Sequence, residues 1–335
     1  MTDAGWESLS NQAIAAAGVV YFLALLAHLV EWSSMRTVST RPQAPVAVGA
    51  GGVPGTPAEA AGPPDGAAHG RVAMFARLGV LLSGLAVAVH LLALVARGLA
   101  ADPNRVPWGN MYEFTITGTF MVAAGYLLLV RRFAWQWLAP IVLTLVLALQ
   151  MVAVIWLYAP VAPLTEALYS PWLVIHVVSA VLATAAFTLA GLLSALYLLK
   201  ERRPDTTTGY LARVPAPREL DQLSYRLHAF AFPVWTFAVL ITGPIWAHQA
   251  WSSYWNWDPK EVWAFITWVV YAAYLHARTT AGWKGRRAAY LALLGTATLW
   301  FNFIGINYFS STSQHSYASA PAERAEAPTQ VSLSS

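Results

Sequence analysis

Eight histidines and one dense run of tryptophans are the residues of this chain whose chemistry reaches beyond packing. There is no cysteine. Thiolate catalysis, disulfides and cysteine-held iron–sulfur clusters are therefore excluded for this chain, and imidazole is the strong metal ligand present in quantity. Six of the sixteen tryptophans fall between Trp246 and Trp268, together with Tyr254 and Phe265. An indole is costly to expose and needs an acceptor for its N–H, so such a cluster belongs at a wet–dry boundary. Within it Asp258 is a good N-cap, Pro259 suits the first helical position and Glu261 completes a capping box. The spacing predicts an aromatic platform on the end of a helix long enough to cross a bilayer.

The elements that must position this platform are membrane helices. Only 11% of the 335 residues are charged and 57% are hydrophobic, whereas a soluble domain carries about 25% charged residues. Several apolar stretches reach the roughly 20 residues that a spanning helix needs. The expected fold is all-α, a polytopic membrane protein of about eight transmembrane helices. The first, Gln12 to Trp32, lies in a segment 1–33. Residues 34–71 read as a disordered linker rich in Pro, Gly and Ala. Residues 72–318 hold the remaining spans, with the aromatic segment at 246–268, and 319–335 form a flexible tail. The fifth span starts at Ser170-Pro171. The sixth, Tyr225 to Ala247, is bent at Pro233 and Pro244. The seventh runs from Pro259 to Arg278 and the eighth from Ala288 to Phe309. With both termini outside, fifteen Lys and Arg fall on the inner side and four on the outer, a strong positive-inside bias. The net charge of +4 is thus a topology signal and not a sign of nucleic-acid binding. The platform is expected to be extracytoplasmic, on a multi-pass protein of the cytoplasmic membrane.

This topology sorts the histidines by depth. His176, in the first turns of the fifth span, and His315, after the eighth, share the platform's side. His276 is seventeen residues along from Pro259, roughly 25 Å deeper at 1.5 Å per residue. An ionisable group inside a spanning helix is a functional candidate. Two outer imidazoles bracketing a flat aromatic surface suit a planar metallocofactor with two axial ligands. Structural packing, with the tryptophans as an interfacial belt, is equally compatible with the spacing. His28 and His90 are expected to be buried, hydrogen-bonded histidines, His248 an exposed loop residue and His69 inert in the linker. His228, at the depth of His276, is a further inner candidate.

Trp251 to Glu261, in the pattern Trp-x-x-x-Trp-x-Trp-Asp-Pro-Lys-Glu, resembles the tryptophan-rich "WWD" signature of haem-handling proteins in cytochrome c maturation. Pro171 to His176 looks like that family's first external histidine. Gly305 to Tyr308 followed by His315-Ser316-Tyr317 looks like its second, and Tyr274 to Arg278 like its transmembrane histidine. Leu220 to Arg226 and Asn110 to Glu113 also match. The resemblance, over about residues 72–318, is to the CcsA/ResC family of the System II pathway, also labelled CcsB. It implies haem transport to the outer face and presentation to apocytochrome c for thioether attachment, as part of a haem-delivery or holocytochrome c synthase complex. By this resemblance haem b is bound transiently between His176 and His315, with Trp251, Trp255, Trp257 and Asp258 in its site and His276 a ligand at an inner waypoint. The implied partners are a ResB/Ccs1-type membrane protein, apocytochrome c and a thiol-reducing thioredoxin-like protein. The first span and linker lie outside the matched region and receive no role. A b-type haem subunit that transfers electrons is the alternative reading.

Overall fold

The computed structural model of the chain describes residues 1–39, 65–130, 132, 135–163, 170–203, 210–310 and 313. Most of the expected linker, His315 and the tail 319–335 lie outside the described residues. Among the described residues all regular structure is helical. Hydrocarbon demands this, because each backbone N–H and C=O must be satisfied within its own segment. The first half of the bundle contains α1 (Asp3–Ser39), α2 (Asp65–Leu99), α3 (Met111–Val130) and α4 (Ala139–Trp156), the last entered through a 3₁₀ turn, Trp135–Leu138. The second half contains α5 (Pro171–Glu201), α6 (Pro217–Thr236), α7 (Gly243–Trp251), α8 (Pro259–Thr279), α9 (Arg286–Trp300) and α10 (Ile306–Phe309). Two π-helical turns interrupt this half, Phe237–Thr242 between α6 and α7 and Phe301–Gly305 between α9 and α10.

Among the described residues seven helical segments are long and apolar enough to cross a bilayer, so the chain is a multi-pass membrane protein. The remaining expected span, α8, has the length, 21 residues. Lys260, Glu261, His276 and Arg278 make it less apolar than its neighbours. It packs on α6 and α9 and buries Ala264, Thr267, Tyr271 and Tyr274. The expected sixth span is one long rod, Pro217–Trp251. Pro244 has no N–H to return to the carbonyl four residues back. The rod answers by widening, and the Gly243 N–H bonds Ala238 O five residues back. The anticipated bend is therefore a π turn.

The first helix is not a separate unit. It starts earlier and ends later than Gln12–Trp32 and lies along α2, with Tyr21, Ala17 and Ala24 in the main core. Ser10 Oγ donates to Ala93 O of α2 at 2.8 Å, and Gln150 of α4 donates to Ile14 O at 2.8 Å. His90 is buried with its Nδ1 3.3 Å from the Tyr21 hydroxyl, and His28 is buried with its Nδ1 3.0 Å from Glu31. Both are the hydrogen-bonded core histidines that the sequence suggests.

Buried charge ties the first helix to one end of the bundle. Arg97, at the end of α2, donates from Nε to Glu113 at 3.0 Å, from a terminal nitrogen to Glu7 at 3.2 Å, and to Ala159 O. Arg105 reaches the second oxygen of Glu113 at 2.6 Å and Ala162 O at 3.2 Å. Asn110 caps α3 by accepting from Glu113 N at 2.9 Å, and the Glu113 carboxylate also accepts from Gly109 N at 2.8 Å. The loops after α2 and α4 are thus held by two carboxylates and two guanidiniums, each with a counter-charge, as burial requires. The opposite end carries the basic loops, where Arg278 pairs with Asp221 at 2.7 Å and Arg286 with Glu201 at 2.8 Å.

Candidate functional site

At the end held by Arg97 and Glu113, the two halves of the bundle leave a cavity of about 1240 Å³, its open mouth included. Its walls come from Asn110, Met111 and Phe114 of the first half, His176 of α5, the π turns and the start of α8. Most of the lining is apolar or aromatic with a few convergent polar groups, the composition of a ligand site. A neighbouring apolar cleft of about 580 Å³ shares Phe114, Thr184 and Phe303 with it.

His176 is the best-prepared residue in the wall. Ser170 caps α5 by accepting from Trp172 N at 3.1 Å, and Pro171 fills the first helical position. This start places His176 one turn in, on the side facing the widened rod. Its Nδ1 lies 2.9 Å from Ala238 O. A carbonyl only accepts, so Nδ1 carries the proton and Nε2 is the basic nitrogen. A carbonyl that accepts from the far ring nitrogen commonly fixes the tautomer of a ligating histidine and raises its basicity. Ala238 is the π-turn residue, which connects the Pro244 defect to the imidazole. The Trp246 ring lies almost parallel to the imidazole, 6.0 Å away at 13°. Gly243 completes the fit, since a Cβ there would sit 3.2 Å from the imidazole and 3.1 Å from Ala238 O. π turns are rare and concentrate at functional sites. The second one brings Asn302 and Phe303 to the opposite wall.

The tryptophans do not make one flat platform. Trp246 and Trp251 meet edge to face at 4.9 Å, and Trp255 and Trp257 at 6.0 Å. Aromatic quadrupoles favour such crossed pairs, and left-handed backbone at Ser252 (φ 58°) and Trp257 (φ 56°) folds the segment back on itself. Trp255 lines the cavity. Trp251 stands one ring behind it on Trp246, and Trp257 points outward, 73% exposed. Trp263 instead packs on Phe301 at 4.2 Å, and Trp268 on Phe232 and Phe265. His248 is exposed, in the last turn of α7 and not in a loop, and stacks on Tyr254 at 4.2 Å.

Asp258 is buried and does not line the cavity. It forms the capping box with Glu261 and accepts from Lys260 N at 2.9 Å. It also accepts from Ser313 Oγ at 2.8 Å, holding the chain two residues before His315. Asp258→Ala is expected to lose the cap, worth about 0.5–2 kcal/mol, and to release Ser313. Thermal unfolding in detergent should shift modestly while limited proteolysis after residue 309 accelerates. An unchanged proteolysis pattern would show that Asp258 only caps the helix.

His228 and His276, the expected inner candidates, are not brought together. His228 is fully buried, with Nδ1 2.8 Å from Ser224 O and the Tyr274 ring 4.5 Å away. His276 is two residues beyond Tyr274, about 200° around the helix. It is exposed, with the Thr280 hydroxyl 3.5 Å from its Nδ1. Of the expected site residues, the cavity therefore gathers His176 and Trp255, with Trp251 and Asp258 behind them. Lys260, Asn302 and Gly243 belong to it as well, although the sequence reading gave them no role. The Gly-Pro pair at 243–244, two residues before Trp246, is the local signal for the π turn.

Comparison with known proteins places this geometry in a family. Residues 108–313 match the cytochrome C assembly protein family. The cytochrome c biogenesis protein CcsA of Gloeobacter violaceus is 34% identical over 307 residues, which cover 75% of this chain and 89% of the relative. CcsA of Chlamydomonas reinhardtii is 40% identical over 160 residues, 47% of this chain and 43% of the relative. The solved structure of a cytochrome c haem lyase, CcmF, superposes with a TM-score of 0.57 at 16% identity. It covers 91% of this chain, which spans about half (49%) of that longer protein, and shows that the two share a fold. The chain belongs to the cytochrome c assembly protein family and, within it, to the CcsA proteins of cytochrome c biogenesis.

Proposed function

We propose that the cavity receives haem b as cargo, holds it between His176 and His315, and presents it to apocytochrome c. The observation that carries this reading is the imidazole of His176 in the wall of an open aromatic cavity, its Nδ1 committed to the Ala238 carbonyl. The residues present fit a haem. There is a basic imidazole nitrogen, a parallel indole beside it, and a largely apolar chamber. Ser313 on Asp258 supports the second ligand, since it ties the chain to the start of α8 two positions before His315 in the sequence. In the product each client S–H adds across one vinyl C=C, with the C–S bond at one carbon and the hydrogen at the other. No oxidant is consumed. The thiols come from the client, which a thiol-reducing thioredoxin-like protein keeps available. This chain supplies the axial nitrogen, the orientation and the shelter from lipid.

The positive-inside bias supports an extracytoplasmic cavity in the cytoplasmic membrane. The inner half supports a partner. His276 shares an exposed face of α8 with Phe265, Val269 and Ala273, and small residues beside a histidine let another helix approach. A ResB/Ccs1-type subunit docked there would supply the second ligand of an inner waypoint. His276→Ala is expected to leave the outer cavity intact yet starve it, so that the complex from cells lacks haem and haem added from outside to spheroplasts refills it. Failure of added haem to bind the variant, where it binds wild type, would mean the outer site is damaged and the waypoint reading is lost.

A further inference from the structure

The neighbouring cleft of about 580 Å³ lies beside the cavity, at membrane depth. Gly118 and Val122 of α3, Leu145 and Leu149 of α4, Ala185 of α5 and Trp300 of α9 line it. Met111, Trp156 and Pro171 mark the cavity end of three of these helices. At 1.5 Å per residue Gly118, Leu149 and Val181 lie roughly 10–15 Å from those ends, inside a hydrocarbon core about 30 Å thick. The lining is aliphatic, aromatic or threonine. Thr115 and Thr119 spend their hydroxyls on α3 itself, donating to Met111 O at 2.7 Å and to Thr115 O at 3.0 Å, and the Thr188 hydroxyl is covered by protein. Gly118 is the informative residue. Glycine weakens a helix interior relative to alanine, and in membrane helices it usually lets a second helix come close. Here a Cβ would meet no atom within 4 Å among the described residues. The missing side chain leaves a groove where a helix contact would be expected.

We infer that this cleft is a lipid site, which takes an acyl chain of a bilayer phospholipid from the leaflet at the cavity end. Phe114, Gly118, Val122, Leu145, Leu149 and Trp300 are all half-buried, so the groove is open along its length. At this depth its surroundings are lipid tails. An empty groove would forfeit dispersion contacts along its lining, and an alkyl chain restores them without desolvating any polar group. Size narrows the occupant. Phe114 to Val122 spans roughly 12 Å along α3, so the volume corresponds to a slot roughly 8 Å across. A helix with its side chains is about 10–12 Å across, which excludes a partner's helix or a second copy of this chain. The acyl chain would rest against Phe114 and Phe303, whose rings meet at 5.2 Å and line both the cleft and the cavity. It therefore backs the cavity wall from the membrane side. The inference does not depend on what the cavity holds.

The test uses the full-length protein in detergent-free nanodiscs of phosphatidylcholine, with the acyl chains either plain or brominated at mid-chain. Bromine quenches an indole that it touches, and Trp300 is the tryptophan on the cleft. Its emission is read as the difference between each protein and the same protein carrying Trp300→Phe. In wild type most of that emission should be lost in brominated discs. Gly118→Leu fills the groove with a better helix former than glycine and should restore the emission. Ala185→Leu, from the α5 wall, should do the same, so either filling variant decides the question alone. Gly125→Leu is the control. Gly125 lies on the same helix with equally open space and does not line the cleft, so quenching should persist. Full Trp300 emission in brominated discs of wild type overturns the lipid site. So does equal quenching in wild type and both filling variants, because Trp300 would then be meeting only the general lipid surround.

Discussion

His176→Gly is expected to lower the haem affinity of the purified protein by more than about 100-fold, beyond the roughly 10–100-fold that follows loss of a group that only orients a ligand. Added imidazole should recover most of it. The reason is specific to the site. Glycine removes the basic nitrogen but leaves the Ala238 carbonyl, the π turn and the Trp246 ring in place, so a small imidazole can occupy the vacated space with the same proton donated to the same carbonyl. His176→Leu fills that space and should not be rescued. Haem titrations with and without imidazole read both outcomes. Full haem binding by His176→Gly without imidazole would remove His176 from the ligand set.

Glu113→Ala should be the most destabilising single change at the cavity end of the bundle. It leaves Arg97 and Arg105 facing each other in a buried site without the carboxylate that both use. Removing one partner of a buried ion pair typically costs about 3–5 kcal/mol. The loops that carry Trp108, Asn110 and Met111 to the cavity depend on the same carboxylate, so haem binding should fall with stability. Arg286→Ala is the matched control. Its pair with Glu201 lies exposed at the opposite end, where ion pairs contribute little, and unfolding in detergent should be unchanged. A Glu113→Ala protein as stable as Arg286→Ala would show that the four charges do not hold the cavity wall.

The parts of this architecture that were legible in the sequence are those written locally. Ser170-Pro171 and the Asp258-Pro259-x-Glu261 box announce helix starts within four residues, and both are observed as written. The apolar runs announce the spans, and at α8 the run is diluted by Lys260, Glu261, His276 and Arg278. What stayed hidden depends on residues far apart in the chain. Arg97 and Arg105 count among the few basic residues expected outside, and only folding joins them to Glu7 and Glu113 in the clamp that ties the first helix to the bundle. Pro244 reads as a bend. That it becomes a π turn offering the Ala238 carbonyl to His176 depends on α5 packing against it, with Gly243 small enough to allow the approach. The aromatic segment reads as a platform because spacing carries no information about the left-handed residues that crumple it. His228 and His276 read as neighbours in depth, but depth says nothing about which side of a helix each occupies.

The central claim, that this cavity is a haem site ligated by two outer imidazoles, is tested most directly by low-temperature electron paramagnetic resonance. The sample is the oxidised haem complex of the full chain, compared among wild type, His176→Gly and His315→Gly. Wild type should give the low-spin signal of iron between two imidazoles. Each variant should turn largely high-spin, and added imidazole should return both to low spin. An identical low-spin signal in wild type and both variants would place the iron elsewhere and contradict the account.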